Sequence, residues 1–516
     1  MAKIALSLSG GGFRAATYHL GVLSYLSSLK TSDGKTLLDH VNTISTISGG
    51  TLTGLWLMMC KCQGKDDVDM LRGLYNILMD DKLISRASLE FLNGKNKNVS
   101  LIREMVRIYD EEIFHGATLA LLYDNIDTIS IDDFSANATE FKNAVEFRFQ
   151  VGKKQKTSKG GISQGFVGNT YYKIPCNIAS QIRLAEVFAA SSCFPGGFEA
   201  LFFPRDFKLA ENSANAEYLA KTEDIALMDG GVVDNQGVEP VTLIRKRRDL
   251  DLFIISDAGC GNGVSYSYQE TKTCSRLTIH KLNITLNILL LAIAQFLLWV
   301  PQGFWFGFFT GLTIVSAVLR IATAVTSRLL ANKYAKLVPF SFKWKELLKI
   351  PFSKYINLFM SRATSMLTLT DKVFMKHIRS LNYATIYEDS LWQNRRIMNG
   401  LYELGAEENW GKHLTDEEDA VMEPSEAVHE TTDIARDMAT TLWWSESDRK
   451  MRKPECLLAC GQYTICWNLL EYIYRLRRNN DNINENHQVI LELQSKLEDD
   501  WNHFKEDPFF MLDIFR

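Results

Sequence analysis

The apolar positions of this chain fall into short blocks that stop at glycines. "KIALSLS" at 3–9 is an apolar run that ends at Gly10-Gly11-Gly12, and a helix is predicted from Phe13 to Ser28. "HVNTIST" at 40–46 is short and β-branched, which predicts a strand. It runs into Ser48-Gly49-Gly50, and "GGTLTGLWLMMCKC" after Ser48 reads as a buried helix. Strand–turn–helix thus occurs twice, the pattern of a parallel α/β sheet. Residues 65–140 read as mainly helical. "AVEFRFQVG" at 144–152 alternates as a strand does, and "SQIRLAEVFAASSCFP" at 180–195 predicts a helix running into a proline turn. "DIALMDGGVVDNQG" at 224–237 predicts a strand followed by a glycine turn, and "LDLFIISDAG" at 250–259 a buried strand ending in a loop. "TDKVFMKHIRSLNYATIY" at 370–387 reads as one more helix and strand closing the sheet. From about 425 to 516 the pattern is helical, and 456–476 is apolar on most faces, so it must pack on something. No internal repeat at a fixed period is present.

One block breaks this rhythm. From Leu282 to Leu319 there is no Asp, Glu, Lys, Arg or His. Pro301-Gln302-Gly303 divides the stretch into Leu282–Val300 and Phe304–Leu319. A spanning helix needs about 20 apolar residues, or about 17 at the short end. The first half fits, and the second fits if it continues through Arg320 toward Val325 with the arginine reaching the interface. Lys272, Arg276 and Lys281 precede the stretch, and Arg320, Arg328 and Lys333 follow it. Basic flanks on both sides predict a helical hairpin with both ends cytoplasmic; the plain alternative is a buried hydrophobic helix pair inside a large domain. The expected organisation is an α/β domain over 1–265, completed by 345–395, an apolar hairpin at 282–325 and a mainly helical region over 396–516.

Composition narrows the partners. The chain is 46% hydrophobic and 23% charged, with a formal net charge of −4. That is globular, and it excludes a strong global attraction to nucleic acid. The nine cysteines form no C-x-x-C pair and no zinc-ligand set, so they read as reduced cysteines in a cytosolic setting. No metal or other cofactor is implied. "MAKIALSLSGGG" reads as a strand rather than a signal peptide. "KKQKTSKGGISQG" at 153–165 is a basic loop, and the acidic stretch Glu407 to Asp419 a solvated one.

The candidate chemistry lies at the glycine turns. Gly10-Gly11-Gly12 follows a strand and opens a helix, so it presents backbone N–H groups to an anion. One such anion is a dinucleotide pyrophosphate, because Gly10, Gly12 and Ala15 match G-x-G-x-x-A. That fingerprint wants an acidic residue ending the second strand, and Asp33 lies instead in the turn "TSDGKT". The other is the oxyanion of an acyl-transfer intermediate. A plain structural turn is the third reading.

Ser48 sits between a β-branched strand and an apolar helix, the setting of a nucleophile elbow. The elbow reads G-x-S-x-G, and here Thr46 replaces the first glycine while Gly50 keeps the last. A serine needs a base. None of the nine histidines sits at a clear strand end in the order a triad expects, and His40 opens the strand leading to Ser48. Asp229, followed by Gly230 and Gly231, ends a strand at the edge where α/β active sites collect. It can accept the serine proton directly. The plain alternative is an ordinary Asp-Gly turn.

Taken together, a glycine loop after the first strand, S-G-G after the next and D-G-G far downstream resemble the patatin-like phospholipases over about residues 3–265. "FAASSCFPGGFEALFFP" at 188–204 also resembles that family's A-S-x-x-x-P segment. Thr46, and Ala15 where a glycine often follows the arginine, depart from the pattern. The resemblance implies a three-layer α/β/α sandwich with a mainly parallel sheet and a Ser48–Asp229 dyad. It implies an oxyanion loop at Gly10, Gly11 and Gly12, with Arg14, Gly50 and Gly231 in support. The implied activity is that of a lipid acyl hydrolase cleaving membrane phospholipid esters at the cytoplasmic face of the inner membrane, with 282–325 holding it there. Some bacterial relatives degrade their own membrane in antiviral defence when a nucleotide second messenger activates them, and oligomeric assembly is left open. A catalytically silent, membrane-anchored scaffold is the alternative.

Overall fold

The structure, a computed structural model, describes residues 2–80, 100–156, 162–210, 213–245, 250–259, 278–299, 301–334, 351, 354, 361–366, 368–406, 408, 411, 414–478 and 487–515. It divides into two compact units, one of Met1–Gly263 with Thr370–Arg516 and one of Val264–Leu369.

A ten-stranded sheet forms the centre of the first unit. Its strands are β1 (Ile4–Leu8), β2 (Val41–Ile47), β3 (Asp133–Glu140), β4 (Val145–Gly152), β5 (Val167–Gly168), β6 (Lys173–Ile174), β7 (Leu201–Phe203), β8 (Ile225–Asp229), β9 (Leu252–Asp257) and β10 (Arg396–Gly400). The order is β10-β9-β1-β2-β3-β4-β5-β6, with β8 pairing the far end of β3 and β7 pairing β8. From β10 to β3 the strands run parallel; β4 to β8 add antiparallel pairs.

Side-chain alternation gives the sheet two apolar faces. Ile4, Leu6, Leu8, Ile44, Leu252 and Ile254 point to one face. There they meet α1 (Gly12–Ser28) and α2 (Gly49–Cys62). Ala5, Phe253 and Ile255 point to the other. They pack on α4 (Val238–Arg245) and α7 (Met375–Glu388) through Val238, Val241 and Ile386. The result is an α/β/α sandwich. The predicted helix at 180–195 is the shorter α3 (Leu184–Ser191).

Three expectations from the pattern are corrected here. The strand that closes the sheet is β10, not a segment within 370–387, which is helical to Glu388. "YATIY" has strand-forming residues, but Tyr383 and Ile386 lie three apart and meet the same apolar cluster, so helical spacing prevails over propensity. The boundary expected at 396 therefore falls on the first residue of a sheet strand, and residues after it belong to the same unit. There α8 (Lys453–Arg478), which holds the apolar run 456–476, lies along α1. Gly21 and Gly461 allow that approach, since a Cβ on either would overlap the backbone of the other helix. Finally, β3 runs through a region expected to be mainly helical. "DFSANATE" is a polar strand whose residues are all buried. Its polar atoms are satisfied internally: Ser135 Oγ donates to Asn137 Oδ1 (2.6 Å), and Thr139 Oγ1 to the Asp229 carbonyl (2.8 Å).

In the second unit, α5 (Ile279–Leu297) and α6 (Phe304–Tyr334) form the expected hairpin. Thr278 caps α5 by accepting from Lys281 N–H at 3.0 Å. Phe296 and Phe309 pack edge to face with centroids 4.8 Å apart, and Arg320 Nε donates to Asn287 Oδ1 at 3.1 Å across the pair. Windows at His280–Leu297 and Phe304–Ala322 are long and apolar enough to cross a membrane. Lys272, Arg276 and residues 157–161 of the basic loop lie outside the described residues.

Candidate active site

Ser48 stands between β2 and α2 with φ 50° and ψ −119°. A non-glycine residue at such a φ is strained and requires over-determined surroundings. Its own N–H donates to Ser191 Oγ at 2.9 Å. Ser191 Oγ in turn donates to the Asn137 carbonyl (2.7 Å) and lies 2.8 Å from Thr51 Oγ1. Gly49 and Gly50 bring α2 against the neighbouring turn and strand: a Cβ on Gly49 would overlap the Gly12 carbonyl, and one on Gly50 the Leu8 carbonyl.

The structure also explains Thr46. Its Cγ2 occupies the space that a Cβ on Gly54 would need. The glycine absent from the first elbow position thus reappears one turn into α2. Thr46 Oγ1 donates to the Ser135 carbonyl (3.3 Å) and accepts from Thr51 Oγ1 (3.1 Å), which ties the elbow to β3.

Asp229 ends β8 and is buried. Burial pushes its carboxyl up to about 6, against the lowering effect of the Gly231 N–H, which donates to Oδ1 at 2.7 Å, and the smaller one of the Ser48 side chain. The segment after α3 serves both partners. Asp229 N–H donates to the Cys193 carbonyl (3.0 Å), Gly230 N–H to the Ser191 carbonyl (3.2 Å), and Ser191 Oγ holds Ser48. Ser191 and Asn137 were not among the residues singled out from the sequence. The signal for Ser191 was its place in "FAASSCFP"; nothing in the pattern marked Asn137, whose Nδ2 donates to Ser45 Oγ (3.0 Å) and the Thr46 carbonyl (3.1 Å). Replacing Ser191 by alanine leaves the buried Ser48 N–H unpaired, which should cost about 1–2 kcal/mol of stability, read by thermal unfolding. An unchanged melting temperature would show that the bond does not hold the elbow.

The glycine loop divides into engaged and available donors. Gly10 N–H donates to the Asn235 carbonyl at 3.0 Å, so it is not free for an oxyanion. This corrects the three-glycine assignment: among the described residues, the N–H groups of Gly11 and Gly12 carry no such bond. Asn235 Oδ1 lies 2.5 Å from where a Cβ of either Gly10 or Gly231 would stand, so both positions accommodate that amide. Arg14 is buried and donates from Nη1 to the Met438 carbonyl at 2.9 Å, toward the C-terminal region.

The remaining candidates separate from the site. Asp33 sits in its turn, accepting from Thr31 Oγ1 at 2.6 Å, so β2 ends in Ser48 and not in an acid. His40 is buried near the Ala2 carbonyl at the other end of β2. His19, which burial holds down to about 4, bridges Ser256 Oγ (2.9 Å) and the Ser9 carbonyl (3.0 Å). Among the described residues no group of His, Cys, Asp and Glu is arranged to hold a metal ion.

Comparison with known proteins adds the following. The family model for patatin-like phospholipase matches residues 6–242. Among solved structures, the chain is similar to human GIVD cytosolic phospholipase A2, at 14% identity and a TM-score of 0.34, over 50% of this chain and 43% of that one. It is also similar to the same protein in complex with methyl gamma-linolenyl fluorophosphonate and terbium chloride, at 18% identity and a TM-score of 0.30, over 50% and 41% of the two chains. The match therefore spans less than half the length of those structures. No curated protein matches by sequence.

Proposed function

We propose that the protein, whose residues 6–242 match the family model for patatin-like phospholipase, is a lipid acyl hydrolase working through a Ser48–Asp229 dyad on membrane phospholipids. The observation that carries this reading is the pair itself. Ser48 stands on a positive-φ elbow; its N–H donates to Ser191 Oγ, while the Ser191 carbonyl accepts from Gly230 N–H, next to the buried Asp229, whose carboxyl burial pushes up to about 6. A base near that value is ionised at neutral pH yet basic enough to take a proton in the transition state.

In the proposed reaction Ser48 Oγ attacks the ester carbonyl while its proton passes to Asp229. The oxyanion that forms is met by the Gly11 and Gly12 N–H groups, with α1 directing its N-terminus at them. The tetrahedral adduct collapses, Asp229 returns the proton to the leaving alcohol, and the acyl group stays on Ser48. Water, deprotonated by Asp229, then attacks the acyl-enzyme; as the second adduct collapses and the bond to Ser48 Oγ breaks, Asp229 returns the proton to Ser48 Oγ and the fatty acid is released. No metal takes part in these steps. The apolar hairpin supports placing this chemistry at a bilayer, with the catalytic unit on the cytoplasmic side, since its substrate is insoluble.

Treating the full chain with a fluorophosphonate should attach one phosphonyl group to the peptide containing Ser48. Fatty-acid release from phospholipid vesicles should fall in proportion to the fraction labelled. Hydrolysis that persists in fully labelled protein, or a label on another serine, would overturn the assignment.

A further inference from the structure

The glycine loop is completed by a segment far outside the matched domain. Residues 438–444, "MATTLWW", lie between the helix Glu426–Arg436 and α8. Phe13 N–H, in the first turn of α1, donates to the Thr441 carbonyl at 2.8 Å. A Cβ on Gly12 would overlap that same carbonyl oxygen and come within 3.1 Å of its carbon. Arg14 Nη1 donates to the Met438 carbonyl at 2.9 Å. The Trp444 ring packs on Phe13 with centroids 6.0 Å apart, and Trp444 Nε1 donates to the Leu78 carbonyl at 2.8 Å. Three successive residues, Gly12, Phe13 and Arg14, are therefore each held by this one segment.

We propose that residues 438–444 are a positioning strap for the oxyanion loop, acting through Thr441 on Gly12 and Phe13 and through Met438 on Arg14, with Trp444 as its anchor. The proposal rests on the Ser48–Asp229 reading. Its physical content is a sorting of donors. Gly10 N–H is taken by Asn235 and Phe13 N–H by Thr441. Between them only the Gly11 and Gly12 N–H groups face an incoming charge. Gly12 also touches Gly49, the residue after Ser48, because a Cβ on Gly49 would overlap the Gly12 carbonyl. Gly12 is thus in contact with the elbow through Gly49 and with the strap through Thr441, so a shift of the strap moves the donors relative to Ser48 Oγ. A donor displaced by about 1 Å is enough to cost on the order of 100-fold in rate.

The test is a double-mutant cycle in the full chain with Trp444→Ala and Arg14→Ala, read on vesicle hydrolysis. Each single substitution should lower kcat by about 10- to 100-fold with KM unchanged, because the oxyanion is met in the transition state only. The double variant should be no worse than the poorer single one, since both act through one segment. Trp444→Phe, which keeps a ring against Phe13, should retain most of the wild-type kcat, and it remains informative if Trp444→Ala does not fold. A raised KM with kcat unchanged would make the segment a substrate wall instead. A raised kcat would make it an inhibitory cover, and multiplying effects would show two unrelated contacts; each outcome overturns the proposal. Wild type and Ser48→Ala run alongside separate the two levels. If wild type shows no Ser48-dependent hydrolysis, the parent reading fails. If it does, and the strap variants keep their kcat, only the positioning role fails.

Discussion

Asp229→Asn should lower the rate of acyl-ester hydrolysis about 10³- to 10⁴-fold while the protein stays folded. The asparagine carbonyl can still accept the Gly231 N–H that now bonds Asp229 Oδ1 at 2.7 Å, so the turn keeps its geometry. What it cannot do is take the Ser48 proton. Ser48→Ala should fall at least as far, and the double variant should sit near the poorer single one, because the two groups act as a unit. The pH profile gives an independent reading. Asp229 works as a base only when ionised, and burial raises its carboxyl to about 6. Hydrolysis by the wild type should therefore climb as pH rises through about 6 and level above it, and the residual activity of Asp229→Asn should lack that limb. A wild-type rate that is flat from pH 5 to 8, or an Asp229→Asn variant with ordinary kcat, would remove Asp229 from the chemistry.

Gly54→Ala should destabilise the protein by about 3 kcal/mol, the upper end of what overpacking a close-packed core costs. Its Cβ would enter the volume of Thr46 Cγ2 and come within 3.3 Å of the Phe134 ring. Thr46 cannot turn away cheaply, since its hydroxyl is bonded to the Ser135 carbonyl and to Thr51. The damage should be reversible by a specific partner. Thr46→Ser deletes the offending methyl and keeps the hydroxyl, so Thr46→Ser with Gly54→Ala should recover most of the lost melting temperature. Thermal unfolding of the four proteins gives the coupling, expected at about 1–3 kcal/mol. Additive losses would mean that the two positions do not exchange space.

The candidate site of this chain was legible because its residues sit at turns. Gly10 to Gly12, Ser48-Gly49-Gly50 and Asp229-Gly230-Gly231 each follow an apolar run, and the structure places all three runs in one sheet, β1 beside β2 and β8 on the far side of β3. What escaped notice was polar or remote. β3 carries Asn137 and Ser135, whose side chains are satisfied by other buried groups, and no apolar alternation announces such a strand. The β10 sequence "RIMNG" is five residues long and follows a helix whose residues favour strands. The assignment of Gly10 as a donor failed for a different reason. Which N–H groups of a glycine turn are already spoken for depends on Asn235 and Thr441, which come from elsewhere in the chain. Thr46 looked like a defect in the elbow because its compensation, Gly54, lies outside the five-residue motif.

The discontinuity of the first unit orders events during synthesis. The hairpin residues, within 264–369, leave the ribosome after the first nine strands of the sheet and before β10. Until residues 396–400 are made, β9 has no partner on its outer side, and a long, buried strand with an open edge is prone to wrong pairing. Until 438–444 are made, Phe13 N–H has no Thr441 to receive it. A segment long and apolar enough to cross a membrane is therefore made while the candidate site is still unfinished, so a ribosome-bound chain lacking these late residues carries the hairpin without the completed candidate site.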